Sequence, residues 1–200
     1  MNTGSLRRGF TWAVLALMPA LVAGCCPGSV FIADPGLETA LRRALNEPLG
    51  GLSAAELASI TELNAEGLGI VSLEGLEYCT ALTVLNLRDN DIVSISPLTD
   101  LPNLVRVDLT NNRVRNIEAI AGWENLNELL LAGDFMEIFD WSPLAANVNA
   151  ARGLGAGDVV VLPRATTVND DNNPLPNFAS AYQALQAAEV RVLFGTVETI

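Results

Sequence analysis

Apolar and polar positions fall into one arrangement four times over: IxxLNAxxLGI, LxxLNLRDNDI, LxxVDLTNNRV and LxxLLLAGDFM, starting at Ile60, Leu82, Leu104 and Leu126. The starts are 22 residues apart each time. Within a unit, positions four and six are apolar: Leu63 and Ala65, Leu85 and Leu87, Val107 and Leu109, Leu129 and Leu131. A strand alternates its side chains with period two, so each pair points to one side and positions three, five and seven to the other. Each unit therefore predicts one short strand. Ile92, Ile95, Leu98 and Leu101 then recur every third residue, with Pro97 interrupting any long α-helix, which predicts a tight 3₁₀-like return. A unit this small cannot bury its apolar side alone, so neighbours must stack to make a core.

Position nine carries Asn90 and Asn112, whose short amides are expected to bond backbone as the chain leaves the strand. Leu68 and Asp134 replace asparagine in the first and last units, as suits repeats that face a cap. The pattern LxxLxLxxNxL at a constant period of this length is the mark of a leucine-rich repeat. Through NLRDNDIVSISPLTDLPNL and DLTNNRVRNIEAI the chain resembles bacterial short-repeat proteins similar to the internalins, over roughly Phe31 to Phe194. That resemblance implies an α/β solenoid: a short leucine-rich repeat horseshoe with a parallel concave sheet, a helical N-terminal cap and an irregular C-terminal cap. It also implies a binding module, not an enzyme. It names no ligand, because one fold serves unrelated partners.

The flanks divide the chain further. Asp34 is placed to cap a helix with Pro35 at its first position and Leu37, Ala40, Leu41, Ala44 and Leu45 along one face. Ser53 opens a second helix through the capping box SAAE, with Leu52 placed to staple onto Leu57. Residues 31–59 thus read as an N-terminal cap over the open edge of the first strand, and 60–144 as the repeats. From 145 to 200 the pattern degrades into one irregular repeat, with Val160 and Leu162 as its inward pair, and a cap. In that cap Phe178, Ala181, Tyr182 and Leu185 keep helical spacing, and Val190 to Phe194 alternate like a final strand.

Residues 1–24 read as a signal peptide. Arg7 and Arg8 precede an apolar run, Phe10 to Gly24, shorter than the roughly 20 residues a membrane span needs. Its end, LVAGC, resembles a bacterial lipobox, which implies acylation at Cys25, a tether at 25–30, and attachment at the cell envelope, on the outer membrane or cell surface. An ordinary secretory signal that happens to contain cysteine is the alternative. Cleavage before Cys25 removes two arginines and no acids, taking the net charge from −12 to −14. Such a charge repels nucleic acid and anionic lipid, so acyl chains rather than a basic patch would hold the protein at a membrane. Cys79 occupies the apolar position of Leu101 and Trp123, so a buried free thiol is expected, with a Cys26–Cys79 disulfide as the alternative.

Chemistry is sparse. The chain has no histidine, and all 11 of its basic residues are arginine, which removes the imidazole and lysine used as general bases, Schiff-base formers and phosphate ligands. Glu62 and Glu66 share one strand side about 13 Å apart, beyond either separation that glycosidase carboxylates use. Asn169 to Asn173 (NDDNN) reads as a solvated turn; calcium is the alternative, but the spaced ligand series with a distal glutamate is missing. GLGAG lacks the lysine and helix of a phosphate loop. No cofactor or metal is expected.

The outward strand positions are the better candidates. Residues one period apart in a register-matched parallel sheet lie about 4.8 Å from each other, which sets Glu66 beside Arg88 and Arg106 beside Glu128. Asn64, Asn86, Arg88, Arg106, Asp108 and Leu130 are the expected contacts for an unidentified protein or peptide, with Asp108 central and free of neutralising neighbours in its row. Five coils span roughly 24 Å, less than a standard interface, so the expected partner is a short peptide, or a weak one helped by membrane avidity. A passive envelope component with no specific ligand is the competing reading.

Overall fold

The computed structural model describes residues 28–133, 138–149, 153–163 and 176–195. A hairpin, β1 (Ser29–Val30) with β2 (Leu52–Ser53), brackets helix α1 (Pro35–Leu45), and α2 (Ala54–Leu57) follows directly. Then come six parallel strands in sequence order: β3 (Glu62–Asn64), β4 (Val84–Asn86), β5 (Arg106–Asp108), β6 (Glu128–Leu130), β7 (Val159–Leu162) and β8 (Arg191–Phe194). The first returns are 3₁₀ turns at Leu76–Tyr78, Ser96–Leu98 and Glu118–Gly122. The later ones are α-helices, α3 (Ser142–Asn149) and α4 (Pro176–Ala187).

The register is the one the repeat requires: Glu62 pairs with Val84, Val84 with Arg106 and Arg106 with Glu128. Beyond β6 the coil lengthens. Glu128 pairs with Val159 and Val159 with Arg191, steps of 31 and 32 residues, and the extra length accommodates a helix in place of a 3₁₀ turn. The sheet also runs one strand past the five coils counted from the sequence, because β8 joins it in parallel.

The inward column Leu63, Leu85, Val107, Leu129 and Val160 is buried, as are Ile70, Ile92 and Val114 after the strands and Leu76, Leu98 and Ile120 in the returns. Each fully buried aliphatic side chain is worth about 1.5–3 kcal/mol relative to exposure, and cap, strands and returns share one core. Trp123 takes the place held by Cys79 and Leu101 and donates its ring N–H to the Leu98 carbonyl at 2.9 Å. Cys79 is a buried free cysteine. Burial, with a smaller contribution from Glu77, pushes its thiol up to about 12. Cys25, Cys26 and the Asn169 to Asn173 loop lie outside the described residues.

Asn90 and Asn112 form the expected ladder. The Asn112 amide donates to the carbonyls of Leu87, Leu109 and Thr110 and accepts from Ile92 N–H. Asn90 does the same one coil earlier, donating to Ala65, Leu87 and Arg88 and accepting from Leu68 and Ile70. These bonds satisfy backbone groups buried where the chain turns out of the sheet. One column before the ladder the first four coils share a positive φ, at Gly67, Asp89, Asn111 and Gly133. Short polar residues and glycine tolerate that conformation best.

Helix α1 begins as its sequence requires, with Asp34 accepting from Gly36 and Leu37 N–H, and α2 closes a complete capping box between Ser53 and Glu56. The apolar face of α1 ends sooner than its spacing suggests. Leu37, Ala40 and Leu41 are buried, but Ala44 is exposed, as are all of residues 46–51, and in the last turn only Leu45 packs, half-buried, against the core.

Candidate functional site on the concave sheet

The outward side chains form three rows along the sheet, and the structure gives each a different fate. The fifth-position row, Asn64, Asn86, Asp108 and Leu130, holds most of the residues expected to meet a partner. Its polar members do a backbone job instead. Asn64 accepts from Glu66 N–H at 3.2 Å, Asn86 from Arg88 N–H at 3.1 Å and Asp108 from Thr110 N–H at 2.9 Å. This is one Asx turn repeated in three coils, tightening the exit from each strand. Asn86 also donates to Asn64 at 3.3 Å and to the Glu66 carboxylate at 3.1 Å.

Two expectations are corrected here. Asp108 is not a charge standing in solvent: it is buried, with 7% of its surface exposed, and Leu130 is completely buried. The cause is lateral packing. Leu130, Ala132 and Val161 make a small apolar cluster of their own on the outward side, flanked by Val159 and Leu193, and Asp108 pairs in register with Leu130 at its border. Thr110, expected to face out, is buried as well. Asn64 remains exposed, and Asn86 and Arg88 half-buried.

The charge pairs are also partly rearranged. Arg106 bonds Glu128 across one period, as expected. Arg88 does not meet Glu66. Its Nε lies 3.2 Å from Asp89 Oδ2, because Asn86 has already engaged the Glu66 carboxylate. Along the rim, Asn111 donates to Asp89 at 2.6 Å and Arg113 pairs with Asp91 at 3.2 Å. These rim residues went unread in the sequence, although their 22-residue spacing was a signal that could have found them.

The third-position row stays open. Glu62, Arg106 and Arg191 are exposed and Val84, Glu128 and Val159 half-buried, giving an accessible track across all six strands. It mixes both charge signs with two aliphatic residues. Among the described residues no three His, Cys, Asp or Glu side chains gather as a metal site, and no helix is long and apolar enough to cross a membrane.

Comparison with known proteins agrees with this architecture. A family model for leucine rich repeats, two copies, matches residues 80–122. The solved structure of an internalin from Listeria monocytogenes is similar, with 32% identity and a TM-score of 0.59 over 74% of this chain. The match spans only 41% of that internalin's length. Internalin C2 of the same organism shares the fold at 23% identity, with a TM-score of 0.52 over 82% of this chain and 87% of its own. The fold is a short leucine-rich repeat solenoid, and over most of its length the chain is similar to bacterial internalins.

Proposed function

We propose that the protein is an extracytoplasmic binding module, tethered to a membrane by acylation at Cys25, that holds a protein or peptide along its concave face. The observation that carries this reading is the open third-position row, with Arg106 47% exposed at its side chain in spite of its ion pair. Five steps of about 4.8 Å give a track of roughly 24 Å, the length of an extended segment of about seven residues. Of the expected contacts, Arg106, Asn64, Asn86 and Arg88 keep accessible surface, and Val84 and Val159 join them. The leucine-rich repeat architecture and the LVAGC sequence support the two halves of the proposal.

The competing reading is a passive envelope component. What favours it is the commitment of Asn64, Asn86 and Asp108 to their own backbone, which accounts for those polar residues without any ligand. A photoreactive residue at Val84 or Val159, compared with one at Asp100 on a return, separates the two on intact cells. Discrete adducts from the concave positions alone are the expected result; the same adducts from all three, or none, leave the scaffold reading. Cys25→Ala should release the protein from the membrane fraction and abolish acyl labelling, since each buried CH₂ contributes about 0.8 kcal/mol to anchoring.

A further inference from the structure

Exposed large apolar side chains are unevenly placed. Among the described residues Leu49, Phe31, Val71, Val93 and Tyr78, at 85%, 77%, 59%, 45% and 41% exposed, belong to the N-terminal cap or the first two coils, against Phe139 at 71% and Phe194 at 40% in the last coils. Phe31 and Tyr78 line one open cleft with Val30 and Gly28, between the β1 strand and the first return. Val71 is held beside the start of α1, where its N–H donates to Asp34 at 2.9 Å. Val93 is its equivalent one period on.

The distance to the proposed anchor decides what can cover this flank. Ser29, the first residue of β1, is four residue steps from Cys25, and even a fully extended chain covers only about 3.3–3.6 Å per residue. Ser29 therefore lies within about 14 Å of an acylated Cys25. A polar headgroup layer is itself about 5–8 Å deep on each side. An anchor this short leaves the cap no room to stand clear of the bilayer, and the part nearest the anchor carries the exposed Phe31 ring.

We infer that the N-terminal cap seats on the bilayer surface, with Phe31 and Tyr78 entering the headgroup–acyl boundary beside the Cys25 anchor. This rests on the acylation proposed above. Aromatic residues favour that boundary because it is apolar on one side and wet on the other. Apolar surface buried in that boundary adds to the attachment that the acyl chains give and, unlike them, fixes an orientation. Glu74 and Glu77 share the cleft and are exposed, so an anionic leaflet opposes the seat and a zwitterionic one does not. Seating would also orient the solenoid, fixing which end of the concave track lies nearest the membrane.

The test uses the mature protein, acylated at Cys25 and freed of residues 1–24 with Trp12, in phosphatidylcholine vesicles, with Phe31→Trp read by fluorescence against lipid brominated on its acyl chains. The native Trp123 and Trp141 are buried and give a constant background. Phe139→Trp, at a residue 71% exposed in the last coils, is the control. Quenching of the Phe31→Trp emission by twofold or more, with the Phe139→Trp emission unchanged, is expected, and Phe31→Trp combined with Tyr78→Asp should lose much of that quenching. Acylated protein that floats with the vesicles but shows equal quenching at both sites overturns the seating and leaves the anchor intact. Protein without acyl label that does not float overturns both.

Discussion

The Asp34 carboxylate accepts from the backbone N–H of Val71 at 2.9 Å, 37 residues along the chain, while its other oxygen caps helix α1. Ser72 N–H reaches the same oxygen at 3.1 Å. One side chain thus starts the capping helix and fixes it to the first coil. Gly36 permits the contact: an added Cβ would sit 2.6 Å from the Leu68 carbonyl oxygen, too close for any alkyl carbon.

Asp34 should therefore make part of the stability acid-sensitive. Burial opposes ionisation, but hydrogen bonds from Val71, Leu37, Ser72 and Gly36 N–H outweigh it and hold the carboxyl below its ordinary 3.8. The folded value is lower than the unfolded one, so the contribution is complete above the ordinary value and disappears as pH falls through the lowered one. Urea midpoints of the parent and Asp34→Asn should differ at pH 7 and converge on acidification. Asp34→Ala should cost at least the upper part of the 0.5–2 kcal/mol, roughly, of a lost N-cap, because it removes the Val71 and Ser72 bonds as well.

Asn112 and the adjacent Asn111 provide a comparison inside one turn. Asn112→Ala removes four bonds to buried backbone and should cost about 1–3 kcal/mol or more. Asn111 is exposed but left-handed at φ 56°, so Asn111→Ala should cost about 1 kcal/mol in backbone strain, and Asn111→Gly less than that. Equal urea midpoints for Asn112→Ala and Asn111→Ala would contradict the ladder.

Reversing the charge at Asp108 should damage the fold before it damages recognition. The side chain is buried and accepts from Thr110 N–H, and Asp108→Arg would place an unpaired charge against the Leu130 cluster. A loss above about 2 kcal/mol is expected, with Asp108→Asn much milder because it keeps the acceptor. Asp100→Arg, exposed on a return, should stay within about 0.5 kcal/mol of the parent. Arg106→Glu is the substitution suited to testing binding, since Arg106 is exposed and its neighbour Glu128 would then repel it.

Cys79 should behave as an inert thiol. With its ionisation pushed up to about 12, almost no thiolate exists at pH 8, and the group is buried besides. In the Cys25-acylated protein carrying Cys26→Ser, alkylation at pH 8 should be slow in buffer and fast in urea. Rapid labelling without denaturant would show that the first coil opens.

The sequence by itself determined the period, the strand register, the inward columns, the asparagine ladder and the capping residues, because each depends on spacing along the chain and on which residue types can bond their own backbone. The same register sets Arg106 against Glu128. What only the tertiary structure decided is the fate of the outward side. Spacing says that Asp108 and Leu130 point away from the core, and they do, yet they are buried, because coverage depends on residues from other strands packing laterally. Asn86 reaching Glu66 ahead of Arg88 is a choice among several side chains within bonding distance. Such choices turn on distances of an ångström between coils, and one-dimensional periodicity carries no record of them.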